Sequence, residues 1–129
     1  MPETLRRVFA LILRCMPLAF YSGLVVTTVV CLMPSTSVPP AFQFWDKAQH
    51  SLGFAMLGVT GAFTFPNRLR GLCIGLVLYG VATEIMQSIF TTTRNGDVMD
   101  CLADAIGVLM GLALYTALAK TRSFTQPSA

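Results

Sequence analysis

The residues able to do chemistry cluster in two stretches and keep helical spacings. Asp46, Lys47 and His50 stand together, with Asp46 and His50 at i,i+4. Glu84 and Gln87 follow at i,i+3, and then come Arg94, Asp97, Asp100 and Asp104, the acids stepping by three and four. Residues three or four apart share one face of a helix, so each set points one way. An imidazole among carboxylates can exchange protons, which makes His50, Glu84, Asp100 and Asp104 the candidate acid–base groups. Lys47 and Arg94 can pair with a phosphate or carboxylate. With Asp46, Gln87 and Asp97 they form a candidate binding set. His50, Glu84, Asp100 and Asp104 are also metal-ligand types, and Cys101 lies beside Asp100. No C-x-x-C or H-E-x-x-H spacing supports a metal, and no cofactor is expected.

The elements that carry these residues are set by hydrophobicity. The chain has 129 residues, room for one domain, and is 54% hydrophobic with only 12% charged residues. Soluble domains carry about 25% charged residues, so lipid must cover much of this surface. Four apolar stretches approach the ~20 residues that a membrane helix needs: about Cys15–Met33, with an apolar lead-in at Val8–Leu13, then Lys47–Phe65, Gly71–Phe90 and Val98–Leu118. Pro34, Pro39 and Pro40 follow the first, Pro66 and Asn67 end the second, and Thr91 to Gly96 make a polar turn after the third. The runs are too long and too continuous for barrel strands. The first run has the basic start of a signal peptide, Arg6 and Arg7, but it is too long and lacks a clear cleavage site, so a retained helix is expected. The tail from Ser123 to Ala129 is expected to be disordered.

The fold class expected is therefore an all-α membrane protein, a four-helix transmembrane bundle. Its orientation comes from the basic residues. Arg6, Arg7, Arg14, Arg68, Arg70, Lys120 and Arg122 fall on one side, leaving Lys47 and Arg94 for the other. Both termini are expected in the cytoplasm, and the membrane is expected to be a bacterial inner membrane.

With that topology every acid except Glu3 lies in the outer half. At a rise of 1.5 Å per residue, Glu84 and Asp104 are each about 9 Å deep, and His50 and Gln87 about 5 Å. Gly107 and Gly111 continue the acidic stripe of the fourth helix as a small-xxx-small pattern. That face must turn inward, because lipid penalises the acids and the glycines permit close helix approach. The first helix offers no identifiable site residue.

Two segments resemble the VanZ-like family. They are Trp45-Asp46-Lys47-Ala48-Gln49-His50 and Tyr79-Gly80-Val81-Ala82-Thr83-Glu84-Ile85-Met86-Gln87, continued through Arg94 and Asp97 to Asp100-Cys101-Leu102-Ala103-Asp104-Ala105-Ile106-Gly107. The family pattern runs D-K-x-x-H, then G-x-x-x-E-x-x-Q, then R, D-x-x-x-N and G. The resemblance covers residues 45–111. Asp104 departs from it, standing where the pattern has Asn and making this site more acidic. The family is named after a small protein linked to teicoplanin resistance. The resemblance implies a four-helix membrane fold, a shared site and, loosely, a role in the cell envelope or in antibiotic resistance.

Several readings of the polar cluster remain. It can be an outward-facing pocket that binds an amphiphile, such as a lipid-linked envelope precursor or a lipoglycopeptide, with or without a reaction. It can be a proton or cation site in a small carrier, or a clamp between helices in a membrane scaffold, for instance Glu84 bonded to His50 or Gln87. Membrane lipid is the expected partner, and the glycine face can also pack between copies in a homo-oligomer. No nucleic-acid signal exists, since the basic residues are those that topology requires. Cys15, Cys31, Cys73 and Cys101 read as apolar fillers, with one bridge, Cys31 to Cys101, left open. Phe42, Phe44 and Trp45 read as an aromatic belt, and Arg14 as a side chain that snorkels.

Overall fold

The computed structural model describes the backbone of residues 2–32, 43–91 and 97–125, and the side chains of residues 2–32, 47–91 and 97–120. It contains four helices: α1 (Glu3–Leu32), α2 (Gln43–Thr64), α3 (Leu69–Phe90) and α4 (Val98–Thr125). Each runs beyond its apolar stretch at one end or both. α1 begins at Glu3 rather than near Cys15, passing through Pro17 without ending. α4 continues to Thr125, into the tail expected to be disordered, whose residues 126–129 lie outside the described residues. The physical reason is that apolarity marks only what lipid covers, while backbone hydrogen bonding extends a helix through polar residues. The proline-rich link, the aromatic belt and residues 92–96 also lie outside the described side chains.

α2 is the centre of the bundle. It packs against α4 most extensively and also against α1 and α3, whereas no Cα atom of α1 comes within 8 Å of one in α4 among the described residues. The α2–α4 seam is built on glycines. A methyl group at Gly107 would overlap the Ser51 carbonyl, and one at Gly111 would overlap the Ala55 carbonyl. On the facing helix, a methyl at Gly58 would lie 3.0 Å from the Val108 carbonyl oxygen and 3.3 Å from the Gly111 Cα. Small residues here let the two backbones touch.

The apolar core is small: Phe20 from α1, Phe54 and Leu57 from α2, Leu76 from α3 and Val108 from α4. Polar bonds supplement it. The Tyr79 hydroxyl on α3 donates to the Leu24 carbonyl on α1 at 2.7 Å and lies 2.8 Å from Thr28 Oγ1. α1 is thus a packed member of the bundle. Outside, Leu11, Leu18, Ile74, Leu78, Leu109 and Met110 are exposed, forming an apolar surface far beyond what a water-soluble chain leaves open.

Among the described residues three helices are long and apolar enough to cross a membrane: α1, α3 and the Val98–Lys120 part of α4. α2 is not among them, although its 22 residues reach about 33 Å. Four apolar spans were expected and three qualify. α2 touches all three other helices, so much of its surface meets protein rather than lipid, and its composition can be correspondingly polar.

Candidate functional site

The geometry starts from three side chains on three helices. His50 of α2, Glu84 of α3 and Asp104 of α4 are all buried, with Asp104 only 1% exposed. His50 Nδ1 lies 3.1 Å from Asp104 Oδ1 and 3.9 Å from Glu84 Oε1. The seam explains the first distance: Gly107, one turn after Asp104, rests on the carbonyl of Ser51, the residue after His50. Gly80, one turn before Glu84, plays a similar part on α3. A methyl there would sit 3.0 Å from Asp104 Oδ2, so glycine leaves room for the carboxylate. Glu84 Oε1 and Asp104 Oδ2 are buried without a hydrogen-bond partner among the described residues.

Above this triad lies a charged rim. Lys47 Nζ donates to Asp97 Oδ2 at 2.8 Å and to Asp100 Oδ1 at 2.7 Å. Asp97 is also the N-cap of α4, its Oδ1 accepting the Met99 amide at 2.9 Å, which satisfies a donor that the helix start leaves open. Its own amide donates to Glu84 Oε2 at 3.1 Å. The Lys47 ammonium, helped by the Met99 amide, holds the Asp97 carboxyl below the usual carboxylate range.

The expected binding set therefore divides. Lys47 is engaged by two acids of this chain, so it is not a free cation awaiting a phosphate. Gln87 turns away from Glu84 and donates from Nε2 to the Cys31 carbonyl at 2.9 Å, one of the carbonyls left over at the end of α1. Asp100 belongs to the rim with Lys47 rather than to the triad. The Asp46 side chain and Arg94 lie outside the described residues. Cys31 and Cys101 are not joined by a disulfide.

α1 contributes where no site residue was expected. An apolar cleft of about 200 Å³ runs between α1 and α2, lined by Val26, Thr27, Val30 and Cys31 on one side and Gln49, His50, Gly53 and Phe54 on the other. His50 belongs to both the cleft and the triad. The α1 residues carried no signal, because valines and threonines in an apolar run look alike whether they face lipid or a cleft. Gly80 did carry one, as it precedes Glu84 by four residues and so shares its face.

A family model described as VanZ/LLP1 matches residues 6–119, a range that takes in α2 and α3 whole and most of α1 and α4. No curated protein and no solved structure matches the chain.

Proposed function

The chain belongs to the VanZ/LLP1 family, and from that premise we propose a multi-pass protein of the bacterial cytoplasmic membrane that holds an envelope amphiphile in its outer half. All four helices cross in this reading, with both termini in the cytoplasm. The positive-inside distribution supports it, as does the central place of α2.

The observation that carries the ligand reading is the double role of His50. Its ring lines the apolar cleft between α1 and α2 and bonds to Asp104 in the polar triad. An amphiphile can lay an acyl or other apolar part along Val26, Val30 and Phe54 and bring its polar head to His50. Glu84 and Asp104 are acceptors with unused lone pairs, and Lys47 is already paired. The head that suits them is a donor, an amine or hydroxyl, rather than a phosphate. A lipid-linked precursor or lipoglycopeptide carries such groups, which connects this site to envelope homeostasis or glycopeptide resistance.

Native mass spectrometry of the protein in nanodiscs tests this, comparing wild type with Glu84→Gln and with Val30→Trp, which fills the cleft. A specific amphiphile on the wild type, lost from both folded variants, is the expected result. Identical lipid profiles for all three would overturn it.

One set of contacts favours a second reading. Gln87–Cys31 and Lys47–Asp97/Asp100 each tie two helices together, as a membrane scaffold requires. In that case the variants melt earlier and no ligand co-purifies.

A further inference from the structure

We infer that His50, Glu84 and Asp104 form a binding site for a divalent transition-metal ion of the zinc type. The ion would take the same carboxylate lone pairs that the pocket proposed above offers to a donor head, so the two compete for them, and the metal site does not require the amphiphile.

One ligand atom from each of the three residues lies within 4.8 Å of the others. A tetrahedral zinc ion with bonds of about 2.0–2.1 Å sets its ligands about 3.3 Å apart. The separations of 3.1 Å and 3.9 Å around His50 Nδ1 bracket that value, and with all three ligand atoms within 4.8 Å of one another the side chains need to close by no more than about 1.5 Å to share one ion. The second observation is independent of the clustering. Glu84 and Asp104 each keep a buried carboxylate oxygen without a hydrogen-bond partner among the described residues, in side chains only 5% and 1% exposed. Such atoms are costly in a low-dielectric interior, and a cation offsets that cost.

The charges agree. Lys47 is committed to Asp97 and Asp100, so within the triad His50 alone can set a positive charge against Glu84 and Asp104. Two carboxylates, a neutral imidazole and a divalent cation sum to zero. The ligand set separates metals too. Calcium takes six or more oxygens and magnesium keeps several waters, whereas imidazole together with carboxylates suits zinc and its neighbours. Three protein ligands leave a fourth position for water or a ligand atom, and the cleft beside His50 gives access to it. Glu84 also has an outer partner that fixes its orientation, the Asp97 amide on Oε2.

The test uses the full chain in detergent with all four cysteines changed to Ser, so that no thiol binds metal. After chelation and dialysis against Zn²⁺ alone, elemental analysis is expected to give one zinc per chain. The near-isosteric Glu84→Gln and Asp104→Asn variants are expected to bind at least about ten-fold more weakly, while Glu3→Gln binds as the wild type does. X-ray absorption at the zinc edge of the unsubstituted site is expected to show a single imidazole with oxygen ligands, a readout that needs no variant to fold. Val30→Trp should keep its zinc even where it loses an amphiphile, which separates this inference from the ligand reading. Less than one zinc per chain, a coordination shell without imidazole, or unchanged affinity in both carboxamide variants would refute the site.

Discussion

His50 Nδ1 on α2 lies 3.1 Å from Asp104 Oδ1 on α4, with both side chains buried. The pair joins the two helices that pack most extensively, and it sits one helical turn from the glycine contact that brings them together. If this bond carries weight, removing either partner strands the other in a dry interior. A double-mutant cycle of His50→Ala and Asp104→Ala is expected to give a coupling of about 1–3 kcal/mol. Denaturant titration of the reconstituted protein measures it. Additive effects would mean that the two groups stand near each other without stabilising the bundle.

Gly107 is expected to be the least replaceable glycine on the seam. Its missing side chain is what lets α4 lie on the Ser51 carbonyl, a backbone atom that cannot swing away. Gly107→Val should cost about 1–3 kcal/mol or more and lower the melting temperature. Gly75→Val should not, because nothing lies within 4 Å of a methyl built there. Equal effects of the two would argue against the α2–α4 register.

Gln87→Leu keeps the volume but leaves the Cys31 carbonyl without the amide that reaches it from α3. Side-chain hydrogen bonds between membrane helices are worth about 1 kcal/mol, so a loss of that order is expected. Hydrogen exchange at the end of α1 should rise with it. A stabilised variant would show that the bond is dispensable.

The crossing of α2 is testable by labelling. In a Cys-free background, Ser37→Cys and Asn67→Cys should react with impermeant reagents from opposite faces. Reaction of both from the same face would mean that α2 enters the membrane without traversing it.

Acid sensitivity has a defined sign at Asp97. Lys47 and the Met99 amide depress its carboxyl pKa in the folded state. A depressed carboxyl contributes stability above its unfolded value of about 3.9 and loses it as pH falls through the lower folded value. Asp97→Asn should therefore flatten the decline in melting temperature below about pH 4 and leave a small, roughly constant deficit at neutral pH. An unchanged acid profile would show that the Lys47 contact is screened away.

Much of the fold and site is legible in the amino-acid sequence. Apolar run length identifies a helical membrane protein, and the polar residues within those runs are visible as outliers. His50, Glu84 and Asp104 stand out because ionisable groups in apolar helices are rare. The Gly107–Gly111 stripe points to a packing face for the same kind of reason. Lys47 is harder to read. Its charge suggests a ligand, and only the position of the α4 start reveals that Asp97 and Asp100 occupy it. Gln87 carries no sign of its partner, since a backbone carbonyl such as that of Cys31 belongs to every residue type alike and lies 56 positions away.

The sequence by itself determined the solvent, the helices and the face on which each polar residue sits, because hydrophobicity and the 3.6-residue period act locally along the chain. Tertiary structure alone decided which faces meet. It set α2 at the centre, placed a polar helix where protein shields it, and opened a cleft against α1. It also sorted the polar residues into a triad, a rim and a helix cap. Those outcomes depend on the rotation and sliding of one helix against another. That register is settled by contacts such as Gly107 on Ser51, between residues far apart in the chain, and no local period records them.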